Sequence, residues 1–280
     1  MQRMNIAGGV ALEVTARPQA GLRFEVGGQR RMVLRQGDAV VMLGSVDRHH
    51  YGVDIYRTGA YRSPIAPITA VEARERSVWL HWFATALSDA GTGPLHDGSW
   101  LLEEGSLPSY VLRGAEIRDF PSAYLDWFGG WHDVVPLGEL AGEGDGRVKA
   151  YRKLVRDRIL PPLLVWWASG LAGWVLLDGR ARLAAALLEG VRPPIVVLSR
   201  RENADERQLG FEHAARRFES VIRSQPEAFN PLVRALADTH AHIERSPGRT
   251  RAWPLAGGEQ AWRSLAGAAS PKWLAETDAG

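Results

Sequence analysis

The chain has no cysteine in its 280 residues. Disulfides, thiolate metal sites and cysteine nucleophiles are therefore excluded. Lysine is nearly absent too: Lys149, Lys153 and Lys272 are the only three among 34 basic residues, the other 31 being arginine. That bias accompanies an unusual genome as readily as a polyanionic partner, and a formal net charge of +2 gives no general attraction to nucleic acid. No apolar run approaches a bilayer span; "LLVWW" is among the longest. The opening "MQRMNIAGGVALEV" lacks the apolar core of a secretory signal, so a cytoplasmic location without membrane contact is the expectation. H-E-x-x-H, G-x-S-x-G, P-loop and Rossmann signatures are missing, which leaves metal and serine-nucleophile enzymes without support. The histidines are scattered: His49-His50, His96-Asp97 and His132-Asp133 fall at expected turns or boundaries. His240 and His242 are two apart and diverge on a helix, a poor metal pair.

What is present fits a soluble globular α+β protein, 45% hydrophobic and long enough to bury one large core or two smaller ones. Residues 1–131 read as a β-rich region of unassigned role. "GLRFEVGGQRRMVLRQGDAVVMLGS" alternates short β-prone runs with Gly-rich turns, "GVDIYRTGAYRSP" continues in that manner, and "SWLLEEG" and "SYVLRGAEI" read as later strands. Within "ERSVWLHWFATALSD", Trp79, Trp82, Phe83, Ala86 and Leu87 share a helical face while Val78, Leu80 and Trp82 alternate as in a strand; of the two, the helix is the preferred reading.

Residues 132–200 carry the clearest pattern. Val148, Tyr151, Leu154 and Val155 form one helical face, ended by Pro161 and Pro162. Then come the strand "LLVWW", the loop "ASGLAG", the strand "WVLL", an Asp-Gly turn, the helix "RARLAAALLE" with Gly190 as its C-terminal stop, and the strand "IVVL". This predicts a small mixed sheet packed by helices. Residues 201–280 read as a helical extension packed on it. Phe211, Ala214, Ala215, Phe218 and Ile222 make an apolar stripe, and Asn230-Pro231 starts a second helix buried through Leu232, Val233, Leu236 and Ala237. Beyond Ser246, breakers exclude a long helix, and Trp253, Trp262 and Trp273 are expected to pin the tail to the body. Trp166, Trp167 and Trp174 are expected in the core.

One stretch raises a chemical question. In "GWVLLDGRARLAAALLEGVRPPIVVL" the helix opens with two arginines, although a helix N-terminus already carries unpaired N–H donors and partial positive charge. Such a concentration of positive charge suits an anion, and phosphate is the usual one. Arg180 and Arg182 are read either as carboxylate-paired surface side chains or as forks that grip phosphate oxygens. Asp178 is read as the N-cap of the helix, a role compatible with ligand binding, and Gly179 as the residue that permits the tight turn.

The order and spacing of residues 134–199 resemble the ParB/sulfiredoxin-like domain family. "VVPLGEL" is similar to its opening strand, "RVKAYRKLVRDRILPPLLV" to its helix and following strand, and the Asp-Gly stretch to its "D-G-H-H-R-L-A-A-A" segment. The resemblance implies a nucleotide-binding protein, a nucleotide-dependent phosphotransferase of kinase type or an NTP hydrolase, using a nucleoside triphosphate or diphosphate with Mg²⁺. It assigns Asp178, Gly179, Arg180 and Arg182 to the phosphates, with a small molecule or protein as second substrate. Glu139, with Glu143 next, matches the carboxylate that acts as base on a substrate hydroxyl, and Glu143 and Asp145 could meet Mg²⁺ through the nucleotide. Arg180 stands where kinase-like members carry His and sulfiredoxins their reactive Cys, which rules out sulfiredoxin chemistry. The partition-type "E-N-x-x-R" box is matched only by Glu202-Asn203, which comes too soon and has its arginine one position late. The alternatives are a DNA-binding partition-type or regulatory protein, with a recognition helix after Pro226 and "RSPGRTR" touching phosphates, and a non-catalytic protein-interaction module on the same fold.

Overall fold

The structure is a computed structural model that describes residues 1–28, 30–76, 78–108, 117, 119–127, 134–202, 204–224, 236 and 247–279. The expected strand over residues 109–116, Trp131, His132-Asp133, Asn203, Pro226, the helix start at Asn230-Pro231 with Leu232, Val233 and Ala237, and His240 and His242 lie outside the described residues. So does the side chain of Ile222. The fold is mixed α and β, with two sheets and, among the described residues, seven helices.

The first sheet is a meander of short hairpins, as the alternation of β-prone runs and turns predicts. Strands β3 (Leu22–Val26), β4 (Arg31–Gln36), β5 (Ala39–Val46) and β6 (Gly52–Arg57) pair antiparallel in sequence order. β8 (Ser122–Asp126) adds to β6, and β13 (Ala252–Pro254) runs parallel to β3 at the other edge. The second sheet has the order β1-β2-β7-β12-β10-β11-β9. It joins β1 (Gln2–Ile6), β2 (Gly9–Val14) and β7 (Gly98–Ser106) to β9 (Val134–Pro136), β10 (Leu163–Ala168), β11 (Gly173–Asp178) and β12 (Pro194–Arg200). Each sheet thus draws strands from more than one of the three zones read in the sequence.

The strands β10, β11 and β12 are apolar on both faces because both faces are covered. Leu164, Trp166, Val175, Leu177, Val196 and Leu198 point between the sheets, where Phe24 meets Trp166 with ring centroids 5.5 Å apart. Their neighbours Leu163, Val165, Leu176 and Ile195 point the other way, toward Leu183 of α4 (Arg180–Leu188). Alongside α4 lies α3 (Gly146–Arg156), joined to it through Val148, Tyr151, Leu154, Ala184 and Ala185. Helix α1 is Ala70–Glu75, and α2 (Leu80–Asp89), predicted from its aromatic face, puts Phe83, Ala84 and Leu87 into the inter-sheet core.

The C-terminal residues divide. α5 (Ala204–Ser224) follows β12, and residues 247–250 lie against β10 and β12 through Gly248 and Thr250. α6 (Gly258–Ala269) and α7 (Pro271–Ala279) pack on the outer face of the meander, where buried Trp262 and Trp273 meet Val33 and Leu43. No helix among the described residues is long and apolar enough to cross a membrane.

Two local expectations need correction. α3 ends at Arg156, before the prolines, because Arg158 at φ +60° already turns the chain away. The hairpin pattern stops at Arg57: residues 58–68 form no strand, since Pro64 and Pro67 cannot donate to a ladder. This irregular segment forms one wall of the site.

Candidate functional site

Strand β11 delivers Asp178 to the end of the second sheet, and the chain must reverse at once to lay α4 on that sheet. Gly179 makes the reversal at φ +110°. A Cβ there would sit 2.8 Å from Leu163 Cδ2 and 2.9 Å from Arg182 Nη2, so both the conformation and the space require glycine. Gly190, at φ +67°, closes the same helix as expected, with Val191 N–H donating to Ala186.

The N-cap of α4 is Gly179, not Asp178, and among the described residues no side chain caps the helix. Asp178 is drawn elsewhere: its Oδ2 accepts from Arg182 Nη2 at 2.5 Å and its Oδ1 from the Ser63 hydroxyl at 2.8 Å. A buried cation requires such a partner, and Arg182 is only 1% exposed. It is no surface arginine. Its guanidinium also lies 5.9 Å from the centre of the Tyr151 ring, and Tyr151 in turn donates to Ile68 O at 2.7 Å. Even so, Arg182 Nε is buried and has no hydrogen-bond partner among the described residues. An orphan of this sort costs about 1–3 kcal/mol and calls for an explanation.

These groups line a cleft of about 570 Å³ between the start of α4, the start of α3, residues 139–142 and the segment 61–68. Tyr61 bolts that segment down, its buried hydroxyl donating to Leu177 O at 2.8 Å. Burial, and then the charge of Asp178, pushes the Tyr61 phenol well above its ordinary pKa, so it stays a neutral donor. Arg180 reaches across the cleft mouth. Its guanidinium rests on Gly138 and donates to Glu139 O at 3.4 Å. It forms no ion pair among the described residues.

The chain matches no protein-family model, no curated protein and no solved structure. The site is therefore read from its own chemistry.

Of the residues singled out in the sequence, Glu139, Asp178, Gly179, Arg180 and Arg182 all line this one cleft. The Glu139 carboxylate is exposed and makes no hydrogen bond or ion pair among the described residues. Asp145, also in the wall, caps α3 by accepting from Arg147 N at 2.8 Å and Val148 N at 3.1 Å. Glu143 pairs with Arg152 away from the cleft, in a network with Arg156 and Glu189. Hydrogen bonds from Arg156 and then Arg152 hold the Glu189 carboxyl down at about 2. Sequence reading missed Tyr61, Ser63, Ile65 and Ile68 as wall residues. The one signal for them is the pair of prolines at 64 and 67, which marks a segment that cannot be a strand.

Proposed function

We propose that this cleft binds the phosphates of a nucleoside triphosphate or diphosphate at the start of α4. The observation that carries the reading is the start of α4 in the cleft wall, a helix N-terminus without a side-chain cap among the described residues, with buried Arg182 behind it and Arg180, in no ion pair among those residues, at its mouth. An anion seated there would accept from the first-turn N–H groups, with the buried Arg182 guanidinium behind them as a fixed positive charge, and Arg180 would close on its outer oxygens. Charge-assisted bonds of this kind are worth about 1.5–3 kcal/mol each, more than the roughly 0.3–1 kcal/mol lost by placing a cation near the positive end of a helix. Asp178 would not touch the phosphates; it holds Arg182 in place.

The resemblance of residues 134–199 to the ParB/sulfiredoxin-like family supports the same reading, and with it a phosphotransferase or NTP hydrolase. Phosphoryl transfer is mainly a matter of positioning and charge stabilisation. Magnesium would arrive with the nucleotide, and Glu139, the unpartnered carboxylate, is the group left to meet it or to take a proton from a second substrate. The test is the thermal midpoint of the full chain with ATP, CTP, GTP or ADP plus Mg²⁺, for wild type and Arg180→Ala. Binding at 100 times Kd raises stability by about 2.7 kcal/mol. A rise with one nucleotide, lost in Arg180→Ala, is expected. The absence of any rise would sink the proposal and turn attention to salt-dependent DNA binding.

A further inference from the structure

Ser63 is an exposed serine that does not move freely. Tyr61, two residues before it, is bonded to Leu177 O, and Ile65, two residues after it, is buried in the inter-sheet core. Its Oγ accepts from Ile65 N at 3.2 Å and lies 3.0 Å from Ile65 O, which is ordinary turn chemistry. The turn needs only the oxygen as acceptor, however. The hydroxyl proton has a shorter and charged partner in Asp178 Oδ1 at 2.8 Å, 115 positions away in sequence. The second oxygen of that carboxylate is fixed by Arg182. A hydroxyl within reach of a base, with the base oriented by a third group, is the arrangement that activates an oxygen nucleophile. Asp178 immediately precedes Gly179, the uncapped start of α4, so this pair adjoins the ground where the phosphates would sit.

The geometry points to Ser63 as an internal phosphoryl acceptor: the protein transfers the terminal phosphoryl group of a bound nucleoside triphosphate to its own serine. The inference rests on the phosphate-binding reading of the cleft. Ser63 Oγ attacks the γ-phosphorus, an Oγ–P bond forms, and the bond from phosphorus to the β,γ-bridging oxygen breaks. The electron pair of that bond leaves with the nucleoside diphosphate. The hydroxyl proton passes to Asp178 Oδ1, and nothing is oxidised or reduced. Arg180 and the first-turn N–H groups stabilise the charge on the phosphoryl group in flight. The product carries about −1.5 to −2 charge, which Asp178 repels and Arg180 attracts. Phosphorylation therefore breaks the Ser63–Asp178 contact and resets this wall of the cleft.

The test uses the full chain, treated first with phosphatase and then incubated separately with ATP, CTP and GTP plus Mg²⁺. Intact mass and peptide mapping are read beside the thermal midpoint of the same samples. One added HPO₃ on Ser63 is expected, lost in Ser63→Ala and kept in Ser63→Thr, which retains a hydroxyl. Asp178→Asn should slow its appearance about 100-fold or more; an unchanged rate would remove Asp178 as the base. A midpoint rise with no added mass, or with HPO₃ on another residue, overturns the acceptor and leaves the binding site standing. No rise with any nucleotide removes both.

Discussion

At the start of α3, the Asp145 carboxylate accepts the N–H groups of Arg147 and Val148. At the start of α4, on the same cleft, Gly179 offers no side chain, and the carboxylate next to it faces Arg182 and Ser63 instead. A cap is worth about 1 kcal/mol, so α4 forgoes a stabilising contact that α3 keeps. α4 also places Arg182 in its first turn, buried and with one donor unmatched. Proteins depart from local rules of this kind mainly where a site demands it. The two helix starts, so close together, put their aspartates to different uses: Asp145 holds backbone N–H groups, and Asp178 holds the side chains of Arg182 and Ser63.

The largest way to break the comparison is Asp178→Ala. It strands a buried cation, and a loss of about 3–5 kcal/mol is expected in urea unfolding. A loss no greater than that of a missing cap would mean that Arg182 relaxes into solvent. Next is Gly179→Ala, in which a left-handed backbone acquires a Cβ 2.8 Å from Leu163 Cδ2. A loss of about 1–3 kcal/mol is expected. Gly146→Ala, at the first residue inside α3, meets nothing within 4 Å and should lose nothing. Asp145→Ala should cost about 1 kcal/mol, the ordinary value of a cap.

The strand–turn–helix of residues 173–188 was legible in the sequence because its signals are local. Apolar runs covered on both faces, an Asp-Gly turn and a closing glycine all act within a few residues. The same stretch supplied four of the residues that line the cleft, Asp178, Gly179, Arg180 and Arg182, whereas Glu139 came from the family resemblance and from no local signal. The local signals misassigned Asp178, since a cap is the commonest use of an aspartate at a helix start. What overrides that use is Ser63, which arrives from another region of the chain, and Arg182, whose burial depends on Tyr151 and on the packing of α3 against α4. The sequence pattern extends the hairpins through residues 52–64, and so into the first part of this wall, because the alternation persists to Tyr61. Two prolines and the long-range bond from Tyr61 to Leu177 decide otherwise. No periodicity records a contact of that span.

The smallest effect on stability is the most informative about the site. Arg180 is half-exposed, makes no ion pair among the described residues and stands in the first turn of α4. Its only hydrogen bond among the described residues is the 3.4 Å contact to Glu139 O. With no ligand bound, Arg180→Ala should leave the protein as stable as wild type or up to about 1 kcal/mol more stable, because a cation is removed from the positive end of a helix dipole. With nucleotide bound, the same substitution should remove the ligand-dependent rise. Opposite signs in the two conditions, read from thermal midpoints with and without nucleotide, would assign Arg180 to the ligand and not to the fold. A loss of stability in both conditions would make it a structural arginine, and the open start of α4 would need another explanation.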